Sequence, residues 1–390
     1  MITYSDFNLT PCALHYSAIR FNTKKMGVTN AEGSSATNYK LNKPEIIITD
    51  KQLMLFSSNT DIKLTIKTLE AGHPVLITAF YSNGLSLLKA LKVHLQKKYI
   101  NKSFKEQREY RSKYNKLSQL ILIEVINYKL VVKKAPFIGW LEKLYPETSD
   151  FLLPFVKIQG LNSAWQWYEN GISIPVLRNK IYPFYGTYFP TRFDHLILFD
   201  NWLNRYDGPK KNAIDVGIGS GVLSFQMLKH GFQKVYGTDT NPNAIVGLTN
   251  AIKDTKLSRK ITLDFGHLFA NANQPTELIV FNPPWLPQSS DLNMLDEAIY
   301  YDKNLFPQFF KKAKPLLLPE GRFVLIFYNL AQTTKVTKQH PIELELAEGG
   351  RFILEKCLKR NVKMASGKTK RDQHWRTEEA VELWVLKHVK

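Results

Sequence analysis

Residues 212–221 read NAIDVGIGSG, and VLSFQMLKHG follows at 222–231. The first segment carries the apolar residues of a buried strand, and the second is amphipathic at helical spacing. Between them Gly217, Gly219 and Gly221 stand at alternate positions. Glycine there lets the backbone turn tightly out of the strand and come closer to a ligand than a bulkier residue would. A strand, a glycine turn and a helix in this order start an open α/β sheet. Ligands of such sheets bind beyond the carboxyl ends of the strands.

Two familiar uses of a glycine loop are excluded by the residues after it. The dinucleotide fingerprint needs a third-interval glycine where this chain has Val222, and a P-loop needs a Gly-Lys-Ser/Thr run that is absent. The next strand-like run ends in GTDTNPNA, with Asp239 at its tip. A carboxylate beside a glycine loop accepts hydrogen bonds from the two hydroxyls of a ribose. Asp215, at the end of the first strand, is placed to orient the loop amides or to meet a cationic group.

Outward from the loop, the strand-like runs are NAIDVG, KVYGTD, ITLDFG, ELIVFN, GRFVLIFY, RFILEKC and AVELWVLKHV, most of them separated by enough chain for a helix. This alternation predicts a Rossmann-like α/β sandwich on a seven-stranded, mostly parallel sheet, with an antiparallel pair at its edge. A separate α+β domain is expected before it, giving residues 1–175 and 176–390, with the boundary after WQWYENG. In the first part KPEIIITD, HPVLITAFY, QLILIEVI and YKLVVKK read as strands, and NGLSLLKALKVHL as a helix. The basic run Lys89, Lys92, Lys97, Lys98, Lys102, Lys105, Arg108, Arg111, Lys113 and Lys116 is broken only by Glu106 and Glu109. It reads either as a solvated helix face or as a phosphate-tracking surface.

The fourth strand of the second part stops abruptly in IVFNPPW, residues 279–285. Neither proline can donate to a ladder, so pairing ends and Asn282 sits at a strand's carboxyl end. If Asn282 and the Pro283 carbonyl each accept one N–H, a conjugated amine or amide is held with its lone pair directed for attack. Pro284 stiffens the turn, and Trp285 offers a flat face for a planar group.

DVGIGSG, GTDTNPNA and IVFNPPWLP in this order resemble the class I S-adenosylmethionine-dependent methyltransferases, over roughly residues 181–390. The likeness is to those with an (Asn/Asp)-Pro-Pro-aromatic signature, among them release-factor glutamine, adenine-N6 and ribosomal RNA base N-methyltransferases. The resemblance implies S-adenosyl-L-methionine as cofactor, with Gly217, Gly219 and Gly221 under its methionine part. It further implies that Asp215 faces the amino group and Asp239, with Thr240 beside it, holds the ribose. Phe189, Pro190 and Arg192 in GTYFPTRFDHLILFD resemble the segment that borders the cofactor upstream. One departure stands out: Gly266-His267-Leu268-Phe269 has His267 where such enzymes carry an acid near the adenine. A neutral imidazole accepts one hydrogen bond but is no anion.

The 390 residues carry a net charge of +19 with a pI near 9.6, which favours a polyanionic partner. RNA or a ribosome-associated particle is expected ahead of a protein glutamine or DNA. A small-molecule N-methyltransferase and an inactive nucleic-acid-binding module with this fold are the rival readings. The lysines and arginines of KRNVKMASGKTKRDQHW form a second basic stretch, with His374 and Trp375 at its end. Only Cys12 and Cys357 occur, too few and too far apart for a thiolate metal cluster or a disulfide framework. The opening residues lack a secretory pattern, and no apolar run reaches the roughly 20 residues that span a bilayer. A cytoplasmic protein with no membrane partner is expected.

Overall fold

The computed structural model describes residues 39–99, 104–287, 300–333, 337, 339–362 and 379–389. Cys12, Lys102, Lys363, Lys368, Lys370, Arg371, His374 and Trp375 lie outside these, as do the side chains of Lys105 and Arg108.

The first sheet begins with β1 (Met54–Phe56), α1 (Ile62–Glu70), β2 (Val75–Ile77), α2 (Tyr81–Lys98), α3 (Phe104–Ser118) and β3 (Ile121–Ile126). β1, β2 and β3 run parallel and are joined by helices. β4 (Lys129–Leu130) and β5 (Phe151–Pro154) then pair antiparallel with β3. The expected α+β arrangement is therefore corrected to an α/β unit with an antiparallel flap. Strands of three residues are too short to leave a readable alternation, which hid the crossovers. KPEIIITD is corrected too: its backbone pairing with the sheet among the described residues is the single bridge of Ile47 to Leu152, while Ile46 packs on the first core and Ile48 is left exposed. α4 (Trp140–Leu144) and α5 (Phe155–Asn170) complete this half, whose core centres on Leu87, Ile123, Trp140 and Phe155.

The second sheet is entered through α6 (Asp194–Leu203). It comprises β6 (Asn212–Val216), β7 (Lys234–Asp239), β8 (Ile261–Phe265), β9 (Thr276–Phe281), β12 (Leu317–Tyr328), β13 (Phe352–Asn361) and β14 (Ala380–His388). A short pair outside it, β10 (Leu286–Pro287) and β11 (Tyr300–Tyr301), comes after the Pro-Pro turn. The spatial order is β13-β14-β12-β9-β6-β7-β8. β14 is antiparallel to both neighbours, and the remaining ladders are parallel. α7 (Val222–Lys229) and α8 (Pro242–Ile252) link β6 to β7 and β7 to β8, and α9 (Leu305–Ala313) precedes β12.

β9 is buried along its whole length. Leu278 and Val280 enter one apolar cluster while Ile279 and Phe281 enter another, so helices cover both faces, as a parallel sheet requires. The two halves interdigitate at the junction. Ile172 and Ile174 pack with the second half, whereas Phe184 and Tyr185 pack against the first. No helix among the described residues is long and apolar enough to cross a membrane.

Candidate functional site

Strand order reverses at β6. Its successor β7 lies on one side and β9 on the other, so the loops leaving β6 and β9 diverge and open a crevice at the carboxyl edge. Val216 is in register with Phe281. Gly217 and Asn282 therefore leave neighbouring strands side by side, on strands roughly 4.8 Å apart.

All three loop glycines have left-handed backbones, with φ of 69°, 51° and 78° at Gly217, Gly219 and Gly221. A Cβ on Gly219 would lie 3.3 Å from the Tyr188 carbonyl oxygen, whereas on Gly217 it would meet only the Phe281 ring, at 3.7 Å. Gly217 is the exposed, open point of the loop.

Asp215 is fully buried. Its Oδ2 accepts the Ser224 hydroxyl at 2.6 Å, while Oδ1 has no hydrogen-bond partner among the described residues. Burial pushes its carboxyl up to about 7, against the opposing bonds from Ser224 and with a further push from Asp239. Asp239 is also raised, chiefly by burial. Its Oδ2 accepts the Gly219 N–H and its Oδ1 the Asn241 N–H, each at 2.8 Å, and the Thr240 amide adds a third bond. A carboxylate offers about four lone-pair positions. Asp239 is thus a fastener between two loops with room for about one further donor, short of the two a ribose clamp needs.

The asparagines of TNPNA do more than the sequence suggested. Asn241 caps α8 by accepting the Asn243 N–H at 3.1 Å. The Asn243 amide donates to the carbonyls of Asn42 and Tyr185, and its oxygen accepts the Asn42 N–H. One buried side chain so joins the first half, the 184–190 strap and α8. A polar residue after a helix-starting proline carries no sequence signal for such a role.

Arg192 donates to both carboxylate oxygens of Glu379 at 3.1 Å, and Phe189 packs 5.7 Å from the Trp167 ring. Pro190 is buried. These three hold the strap, and their side chains are occupied in doing so. At the end of β8 the His267 side chain is exposed, that of Leu268 is in the core, and Leu268 has a φ of 55°. Its carbonyl accepts the Thr238 hydroxyl. Thr240 is exposed.

Asn282 and Trp285 are half-buried, and the Trp285 Nε1–H donates to Asn282 Oδ1 at 3.2 Å. One indole face lies against Tyr328, 4.0 Å between centroids. Tyr328 is bonded in turn to His195, a pair that sequence reasoning missed because the two residues are far apart in the chain. An apolar cavity of about 640 Å³ lies elsewhere, between residues 177–187, α7 and α8, reaching the loop at Gly219 and Ser220.

Residues 196–353 match the family model described as methyltransferase small domain. Among relatives, a protein of Methanocaldococcus jannaschii, provisionally named a protein N5-glutamine methyltransferase, is 30% identical over 122 residues, covering 31% of this chain and 57% of that one. A ribosomal protein L11 methyltransferase of Geobacillus kaustophilus is 26% identical over 211 residues, covering 50% and 62%. The chain spans less than two thirds of the length of these curated relatives. Among solved structures, the ribosomal protein L11 methylase of Lactobacillus delbrueckii subsp. bulgaricus aligns with a TM-score of 0.36 at 19% identity, over 57% of this chain and 93% of that one.

Proposed function

We propose that this protein is an S-adenosylmethionine-dependent N-methyltransferase acting on an exocyclic amino or amide nitrogen of a macromolecule, with RNA the favoured class. The observation that carries the reading is the register of Val216 with Phe281, which sets a glycine loop beside Asn282 at the switch point of a parallel sheet. The residues fit the cofactor. Asp215 Oδ1 is a buried acceptor with no donor among the described residues, of the kind an ammonium group would satisfy, and Gly217 leaves room for close approach. Asp239 retains capacity for one hydroxyl.

When bound, S-adenosylmethionine supplies a methyl group on a positively charged sulfur. The chain's own part is to bind and to orient. Asn282 Oδ1 has a second lone pair beyond the one facing Trp285, and the Pro283 carbonyl is a second acceptor on a stiff backbone. Together they would hold both hydrogens of an amine and direct its lone pair into the crevice. Such a nitrogen becomes acidic as it gains a methyl group, so no strong base is required. Trp285, half-buried at the strand end, would stack on a base, worth about 1–3 kcal/mol.

RNA is favoured by the net charge of +19 and by α2 and α3. There Lys89, Lys92, Lys97, Lys98, Arg111 and Lys116 are exposed, with Glu70 pairing with Lys98. Residues 1–175 would then recognise the substrate and residues 176–390 perform transfer. A protein amide is the second reading, supported by the name of the Methanocaldococcus jannaschii relative. Tritiated methyl transfer into a lysate, followed separately by ribonuclease, deoxyribonuclease and protease, tests both: loss of label to ribonuclease is expected, and loss to protease alone selects the amide. Undetectable cofactor binding in calorimetry with a well-folded protein would instead select the inactive module.

A further inference from the structure

The Trp285 indole is held from two sides. Its Nε1–H meets Asn282 Oδ1, and its ring lies on Tyr328 at an interplanar angle of 37°. Tyr328 closes β12, is 2% exposed, and shares a hydrogen bond of 2.9 Å with His195 Nδ1 in the first turn of α6. His195 is likewise 2% exposed. Burial lowers its pKa to about 4, so the ring is neutral near pH 7 and can sit beside a phenol without importing charge.

The chemistry of these groups restricts what they can do. An indole N–H only donates, while a carboxamide has an accepting oxygen and a donating nitrogen that exchange places by a half-turn. Only one of the two orientations satisfies Trp285. A stacking role by itself would need a ring and leave the N–H idle. We propose that Trp285 is a latch that fixes which end of the Asn282 amide faces the crevice, and that Tyr328 and His195 are positioning residues that hold the latch. The proposal rests on the reading that Asn282 accepts a substrate N–H.

A double-mutant cycle separates latch from platform, because a carboxylate presents an acceptor oxygen in either orientation and needs no latch. Trp285→Phe is expected to lower kcat by about tenfold or more in the wild-type background with KM for S-adenosylmethionine unchanged, but by about threefold or less beside Asn282→Asp. Equal factors in the two backgrounds overturn the latch. Wild-type turnover is measured first, with the substrate pool identified by the nuclease and protease treatments. No wild-type cofactor binding or transfer refutes the methyltransferase reading itself, whereas wild-type transfer with equal factors refutes only the latch.

Should Asn282→Asp turn over too slowly to measure, hydrogen exchange at the Trp285 indole N–H answers instead. Protection in the wild type that falls about tenfold or more in Tyr328→Leu is expected, and equal exchange overturns the positioning role. For His195 the readout is Tyr328→Phe, which keeps the ring and removes the bond. A kcat loss of about threefold or more at constant cofactor affinity supports the role, and an unchanged kcat overturns it.

Discussion

Asp239 Oδ2 accepts the backbone N–H of Gly219 over 2.8 Å, so the residue proposed to meet one ribose hydroxyl also pins the glycine loop in its left-handed course. Asp239→Ala removes both functions at once. Cofactor affinity should fall about 10- to 100-fold, or about 1.4–2.7 kcal/mol by calorimetry. The melting temperature should drop as well, because the Gly219 and Asn241 amides lose their acceptor. Unchanged affinity would remove Asp239 from the site.

Asn282 shares no hydrogen bond with the glycine loop among the described residues, although it emerges beside it. Asn282→Ala should therefore lower methyl transfer by about 100-fold or more while cofactor affinity stays within about threefold. Equal losses in binding and transfer would contradict its assignment to the substrate nitrogen.

On the proposed reading, Asp215 links cofactor binding to pH. Its carboxyl is raised from 3.8 to about 7 in the free protein, so below pH 7 it is mostly protonated, and an ammonium ligand must expel that proton. Cofactor affinity should rise with pH up to about 7 and then level off. Asp215→Asn should flatten most of this slope, leaving the part due to Asp239, which is also raised. The sign for stability comes from the same shift. The folded chain binds the proton more tightly than the unfolded one, so this group favours folding below pH 3.8 and that contribution is lost as pH rises to about 7. Denaturant titrations of Asp215→Asn should show a shallower loss over that interval.

Gly247 leaves no room for a side chain: a Cβ there would lie 2.2 Å from Phe184 Cβ. Phe184 in turn packs 4.8 Å from the Trp140 ring, so it transmits any displacement to the first half. Gly247→Ala should cost about 1–3 kcal/mol through overpacking, read as a lowered denaturant midpoint.

Reversing exposed charges on α2 tests the RNA reading. Lys89→Glu, Lys92→Glu and Lys97→Glu combined should weaken RNA binding and make its logarithmic salt dependence shallower, by about one unit for each phosphate no longer neutralised. Cofactor affinity, far from this face in the chain, should not move. An unchanged salt slope would take α2 out of the interface.

The second half was readable because each of the seven strands of its main sheet runs for at least five residues and each turn carries its own chemistry. The parallel strands from NAIDVG to ELIVFN run out at or just before Gly217, Asp239, His267 and Asn282, at the carboxyl edge of the sheet. The first half was not readable in this way. Three-residue strands carry too few side chains to distinguish βαβ from αβ patterns, and the apolar KPEIIITD run owes its composition to lying against β5 rather than to a ladder of its own.

From its amino acids alone the chain determined where strands must stop, since proline lacks a donor and glycine takes the left-handed turn without a Cβ penalty. It therefore determined which residues stand at the carboxyl edge. Tertiary structure decided what those residues face. The register of β6 with β9 set Gly217 beside Asn282, folding buried Asp215 Oδ1 with no donor among the described residues, and the packing of α6 against β13 and β14 brought His195 to Tyr328 and so to the indole. Such pairings depend on distances across the sheet, and residues distant in sequence become neighbours only when the core that separates solvent from both of them has closed.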